Sequence, residues 1–198
     1  HDVAAGAHPS FPDRDNFGRT QSPLQGGELE AHLSEQVAEL KDLAAELGIR
    51  LSHMKPHGAL YNMAAKDAGL AESIVSVLRA LIPDAALFGP PNSHLEAVAE
   101  EHGISFIAEG FADRAYEQDG SLRDRKAPGA VIHDANLQTR QALQIAIEGE
   151  VDTYDRARIT LPVQTLCVHG DTPGAFAAAQ SIRQSLEQNG IKLCPPNV

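Results

Sequence analysis

Short apolar runs alternate with amphipathic helical segments along almost the whole chain, and that order restricts the fold more than any other feature. Small apolar residues occupy 3–8, and Pro9 stops them. A polar stretch at 10–27 follows. Leu29, Leu33, Val37, Leu40, Ala44 and Leu47 then recur at helical spacing, with Gly48 placed as a C-terminal cap. Further strand-length runs are predicted at 51–55, 85–89, 104–108 and 161–168. Between them lie a helix capped by Asp67 with Leu70, Ile74, Val77, Leu78 and Leu81 inward, and one capped by Ser93 with Leu95, Val98 and Ala99. Another centres on Leu137, Ala142, Ile145 and Ala146, and a last one packs Phe176, Ala179, Ile182 and Leu186 before Gly190. Strand then helix, about five times over, calls for parallel strands, right-handed crossovers and helices covering the sheet. The expectation is an α/β fold in a single domain over 1–198, with no internal repeat and no linker.

Composition narrows the partners. With 198 residues and 42% apolar content, one domain can bury a large core. A formal charge of −11 argues against nucleic acid or an anionic membrane as the partner, while a small anionic substrate still responds to local fields. No apolar run approaches the ~20 residues of a membrane span. Cys167 sits in an apolar run and reads as a buried thiol; with Cys194 it makes neither a disulfide framework nor a zinc ribbon, and such sparse cysteine points to the cytoplasm. His1-Asp2-Val3-Ala4-Ala5-Gly6 reads as the middle of an element, so a preceding N-terminal piece is expected.

The chemistry concentrates at the strand ends. Residues 52–62 begin as the tail of a strand, and Pro56 breaks the ladder, so Lys55 and His57 are expected in a loop at a carboxyl edge. A lysine offers a fixed cation and a histidine a group that titrates near neutral pH. Other strand ends carry His8-Pro9-Ser10, Asn92-Ser93, Glu109 with Asp113 and Arg114, and His169-Gly170-Asp171. In a parallel α/β sheet such ends face one side, which points to a catalytic face. His8, His57 and His169 are candidates for acid/base work or for binding a metal, whose identity stays unknown. His53 is expected on the side of its strand opposite His8. Glu109, at a strand end where burial raises a carboxyl pKa, is a base candidate. Asp113 and Arg114 read equally well as a structural ion pair. Residues 123–126 read as a solvated basic loop, in a connection long enough to be a lid. Walker-type phosphate loops are absent, so no ATP-binding motif is seen in this chain.

Four ordered motifs carry a resemblance. They are His8-Pro9-Ser10-Phe11-Pro12-Asp13 with Phe17-Gly18-Arg19, then residues 55–62, then Glu109-Gly110-Phe111-Ala112-Asp113-Arg114, then Val168-His169-Gly170-Asp171. Together they resemble the LamB/YcsF family of 5-oxoprolinase A subunits. The resemblance implies a seven-stranded β/α barrel like that of polysaccharide deacetylases. It also implies ATP-dependent hydrolysis of the 5-oxoproline lactam to glutamate, with subunits B and C as partners. On this view the partners activate the lactam by phosphorylation and the present chain completes the hydrolysis. The family's Asp-Leu-Asn-Cys-Asp strand and Cys-Gly-Phe-His-Ala-Gly-Asp segment have no match here, so about two βα units are expected to be missing from an N-terminally incomplete barrel.

Lactam hydrolysis needs an activated water, a stabilised oxyanion and a proton for the departing nitrogen. The expected catalytic set is Lys55 as electrostatic stabiliser or anion anchor, His57 and His169 for protons with Asp171 orienting His169, and Glu109 or Asp113 as base. Arg114 is expected to hold the substrate carboxylate, with His8, Arg19 and Asn62 as further substrate contacts. Two alternatives stand beside this: a metal-dependent deacetylase-like hydrolase using His8, His57 and His169, and a non-catalytic substrate-binding subunit.

Overall fold

A computed structural model describes residues 3–171 and 173–195. His1 and Asp2 of the expected opening segment and Thr172 of the turn after His169 lie outside the described residues. The chain divides into two compact units, the first running to Ile107 and the second beginning at Ala108.

In the first unit, strands β1 (Ala5–Ala7), β2 (Leu51–Met54) and β3 (Ala86–Gly89) are parallel and lie in that order. Gly6 stands opposite His53 and Ala7 opposite Met54; His53 in turn faces Ala86, and Met54 faces Leu87. Helices α1 (Gly26–Glu46), α2 (Gly58–Ala64), α3 (Ala68–Leu81) and α4 (His94–Glu101) complete the unit. One core joins Ala7, Met54 and Leu87 to Leu29, Leu33 and Val37 of α1, Leu70, Ile74 and Leu78 of α3, and Leu95 of α4. Burying each such leucine contributes roughly 1.5–3 kcal/mol.

Because strand side chains alternate, Gly6, His53, Ala86 and Phe88 fall on the opposite face. There Ala86, Phe88 and Ile107 form a separate cluster, and the His53 ring stacks on Phe88 at 4.5 Å. A Cβ on Gly6 would overlap the His53 imidazole, which explains glycine at that position. His53 therefore shares the face of Gly6 and, by alternation, of His8, contrary to the opposite side expected from sequence. Its ring is packed, and burial followed by the nearby Lys55 charge pushes its pKa down, so it is neutral near pH 7.

The expected caps form. Asp67 accepts from the Leu70 N–H, Ser93 from the Glu96 N–H, and Gly48 takes the left-handed φ of 68° that closes α1. Two details differ. The loop expected after Pro56 becomes α2, and Leu40 and Leu47, on the predicted inner face of α1, are exposed.

In the second unit, the part of β4 (Phe106–Phe111) from Ala108 onward pairs in parallel with β7 (Thr165–Cys167), placing Glu109 opposite Thr165 and Phe111 opposite Cys167. Helices α5 (Ala135–Glu148) and α6 (Ala175–Gln188) pack through Ala142, Ile182 and Leu186, with Ala112, Leu166 and Val168 against them. Phe176 is 82% exposed and Ala179 also faces solvent; Ala178 takes the buried position instead, one residue out of the expected phase. Likewise Leu137 and Ala146 of α5 are exposed. The strand expected at 161–168 shrinks to β7. An antiparallel hairpin, β5 (Glu150–Asp152) and β6 (Arg158–Thr160), precedes it. Its charged residues, among them Arg158 bonded to Asp152 at 3.0 Å, gave no apolar alternation to read. Cys167 is half-buried rather than fully buried. No helix among the described residues is long and apolar enough to cross a membrane.

Candidate functional site

Two groups of polar side chains, one in each unit, occupy the strand ends. In the first unit the β1–β2 ladder runs on past both strands: the Lys55 N–H donates to the Ala7 carbonyl and the His57 N–H to the Pro9 carbonyl, each at 2.9 Å. This brings His8 and His57 together. His8 Nδ1 lies 2.6 Å from the Lys55 carbonyl oxygen, His8 Nε2 lies 2.8 Å from His57 Nδ1, and His57 Nε2 lies 2.8 Å from the Phe17 carbonyl oxygen. Carbonyl oxygens only accept, so both outer nitrogens carry protons, and the central bond needs a third. With all three bonds made, the pair holds three ring protons and one positive charge.

The Phe17 carbonyl reaches His57 because Phe17 adopts a left-handed φ of 57° at the end of a 3-10 turn. Asp13 braces the turn by accepting from the Asn16 side chain at 2.7 Å and the Thr20 N–H at 3.0 Å. The Asn16 bond leads the effects that hold its carboxyl below the usual range. Gly58, at φ 59°, admits the Gly18 carbonyl where a Cβ would collide with it. Lys55 Nζ lies 5.9 Å from the centre of the Tyr61 ring, and the Arg19 guanidinium 4.9 Å from that of Phe17. Asn62 donates to the Gly58 carbonyl one helical turn back, a local helix contact.

In the second unit the β4–β7 register decides the geometry. Phe111 faces Cys167, so two residues further on Asp113 faces His169. Asp113 is 3% exposed and its carboxylate accepts from the His169 N–H at 3.1 Å and from Nδ1–H at 2.8 Å. Burial pushes the Asp113 carboxyl up, but the hydrogen bonds and charge of His169 together outweigh it and hold it below its ordinary value. A carboxylate only accepts, so Nδ1 carries the proton and neutral His169 keeps its lone pair on Nε2. The Phe111 ring stacks against the imidazole with 5.7 Å between centroids. Asp113, not Asp171, therefore orients His169. Asp171 instead approaches Arg125 at 3.9 Å.

Arg114 also departs from expectation. It is 5% exposed, and its Nε and Nη2 donate to the carbonyls of Ala130 and Arg123 at 3.1 and 2.6 Å. Through these bonds it holds the loop between β4 and α5. Arg123 is likewise committed, paired with Glu117 at 2.7 Å and stacked 3.5 Å over Tyr154, so the basic run is not simply solvated. Glu109 is buried on β4, close enough to Tyr116 that, after burial, its charge helps raise the Tyr116 pKa.

Sequence reading missed Gln141 and Tyr116. The Gln141 amide donates to the carbonyls of Phe111 and Arg114 at 2.7 and 2.8 Å, and the Tyr116 hydroxyl accepts from the Phe111 N–H at 2.8 Å. Both fix the backbone that presents Asp113. A glutamine beside the apolar stripe of α5 was the available signal.

The histidines do not fit a zinc site. All four ring nitrogens of His8 and His57 are engaged in hydrogen bonds, and His169 Nδ1 is held by Asp113. Among the described residues no three His, Cys, Asp or Glu side chains are arranged to hold a metal ion.

Comparison with known proteins gives a consistent picture. The model of the LamB/YcsF family matches residues 1–198. The 5-oxoprolinase A subunit of Chloroflexus aggregans is 44% identical over 98% of this chain and 77% of that protein. The A subunit from Histophilus somni is 43% identical over 96% of this chain and 77% of its own length. The crystal structure of a lactam utilization protein from Thermus thermophilus superimposes with a TM-score of 0.88 at 36% identity, covering 98% of this chain and 77% of that one.

Proposed function

The chain belongs to the LamB/YcsF family, and from that premise we propose that it is the A subunit of an ATP-dependent 5-oxoprolinase, a hydrolase that opens the lactam of 5-oxoproline to glutamate. The observation that carries the reading is the Asp113–His169 pair. Asp113 holds the imidazole by Nδ1–H, which leaves Nε2 free to take a proton from water. The water oxygen bonds to the lactam carbonyl carbon, the carbon–nitrogen bond breaks, and the nitrogen gains a proton to become the amine of glutamate. Buried Glu109 is the second proton-transfer group in the proposal. ATP supplies the driving force at the level of the assembly, with subunits B and C as partners and the cytoplasm as the setting. For the first unit, taken by itself, the proposal gives Lys55 the stabilisation of negative charge. The seven-stranded, deacetylase-like barrel belongs to the same proposal and is supported by the parallel βα order.

The test uses the full-length chain with both partner subunits and follows glutamate formed from 5-oxoproline. His169→Gln is expected to lower turnover by roughly 10²–10⁴-fold, the contribution of a general base. Wild-type turnover in that variant overturns the catalytic assignment and favours a substrate-binding subunit.

A further inference from the structure

The substrate of the proposed reaction carries a carboxylate, and Arg114, which the motif suggested for it, is buried and bonded to loop carbonyls. We propose that Arg125 is the residue that binds this carboxylate, an assignment that rests on the lactamase reading above and names its anion anchor.

The loop that bears Arg125 is fixed by its own hydrogen bonds. Arg114 ties Ala130 and Arg123, the Arg123 N–H donates to the Ala115 carbonyl, and Arg123 Nε donates to the Pro128 carbonyl. Asp124 closes the turn by accepting from the Lys126 N–H at 2.9 Å, and its carbonyl accepts from the Ala127 N–H. Arg125 is thus presented by a braced turn. Its guanidinium is directed at the segment that follows β7, with Nη2 3.9 Å from Asp171 Oδ2, two residues beyond His169.

That approach is an ion pair beyond hydrogen-bonding distance, between side chains 28% and 37% exposed. Among the described residues the five N–H donors of Arg125 meet no hydrogen-bond acceptor. A guanidinium is a planar fork matched to a carboxylate, and two parallel hydrogen bonds are stronger and more directional than a loose pair. An entering carboxylate gains that geometry while Asp171 stays partly hydrated. Of the other arginines in this loop region, Arg114 is committed to carbonyls and Arg123 to Glu117 and Tyr154.

The experiment measures KM and kcat for 5-oxoproline and for its neutral carboxamide, using the full-length chain with both partners. Arg125→Gln is expected to raise KM for 5-oxoproline roughly 10- to 100-fold, the loss of hydrogen bonds to a charged group, with kcat within a few-fold. KM for the carboxamide should not change. Arg125→Lys, which keeps the charge and loses the fork, should fall between. His169→Gln should act the other way, on kcat. A KM for 5-oxoproline within about 3-fold of wild type in Arg125→Gln overturns the proposal and leaves the lactam reading standing. If Arg125→Gln melts early, Arg125→Lys decides, and an unchanged KM there is equally fatal. A wild-type assembly that forms no glutamate removes the underlying reading, and the proposal with it.

Discussion

Replacing Asp113 by Asn keeps the shape of the side chain and removes its charge, which isolates what the carboxylate does for His169. Asp113 is almost fully buried and accepts from both the N–H and the ring Nδ1–H of His169. Both donors reach Oδ2 and the ring Nδ1–H also reaches Oδ1 at 3.0 Å, so an amide oxygen in the Oδ2 position keeps two neutral bonds and loses the Oδ1 contact and the charge. Losing a hydrogen bond to a buried charged group costs about 1.5–3 kcal/mol. For a chain of this size that is about 2–4 °C in Tm per kcal/mol, or roughly 3–12 °C in all. The sign with pH follows from the lowered Asp113 pKa. A carboxyl whose folded pKa lies below its unfolded value adds stability that is complete above the unfolded pKa of 3.8 and is lost as pH falls through the folded value. The gap in melting temperature between wild type and Asp113→Asn should therefore be full at pH 7 and shrink below pH 4. Turnover should fall by at least ~10²-fold, because the ring is no longer held with its lone pair on Nε2. A variant that melts early yet turns over within a few-fold of wild type would make the pair structural and refute the catalytic argument.

Two further expectations concern the first unit. Lys55→Met keeps the apolar stem and removes the charge, so it should lower turnover by roughly 10²–10³-fold; normal turnover with an unchanged melt would remove Lys55 from the site. For the His8–His57 pair, ¹⁵N NMR of the imidazoles at pH 6 should show three protonated ring nitrogens and one bare one, and two bare nitrogens would contradict the hydrogen-bond chain drawn from the structure.

The βα order was legible in the residues alone, because apolar spacing and caps are properties of residues within one or two turns of each other. Asp67, Ser93 and Gly48 act where their local chemistry put them. The same local signals placed His8, Lys55, His57, Asp113 and His169 at strand ends, whereas Glu109, expected at the end of a strand over 104–108, lies inside β4, and four motifs pointed to the family. Short elements were harder: α2 and the β5–β6 hairpin have too few residues to show a period, and one residue of helical phase separated Phe176 from the buried Ala178. Which groups meet depended on how the chain folds. Asp171 is two residues from His169 and Asp113 is 56 away, yet the parallel register of β4 with β7 gives the imidazole to Asp113. Arg114 sits beside Asp113 in sequence, but alternation sends its guanidinium into the loop at Ala130, and the loop's turn offers Arg125 in its place. Neighbours along the chain set propensity and period, whereas partners across a sheet are set by register, which no local window contains.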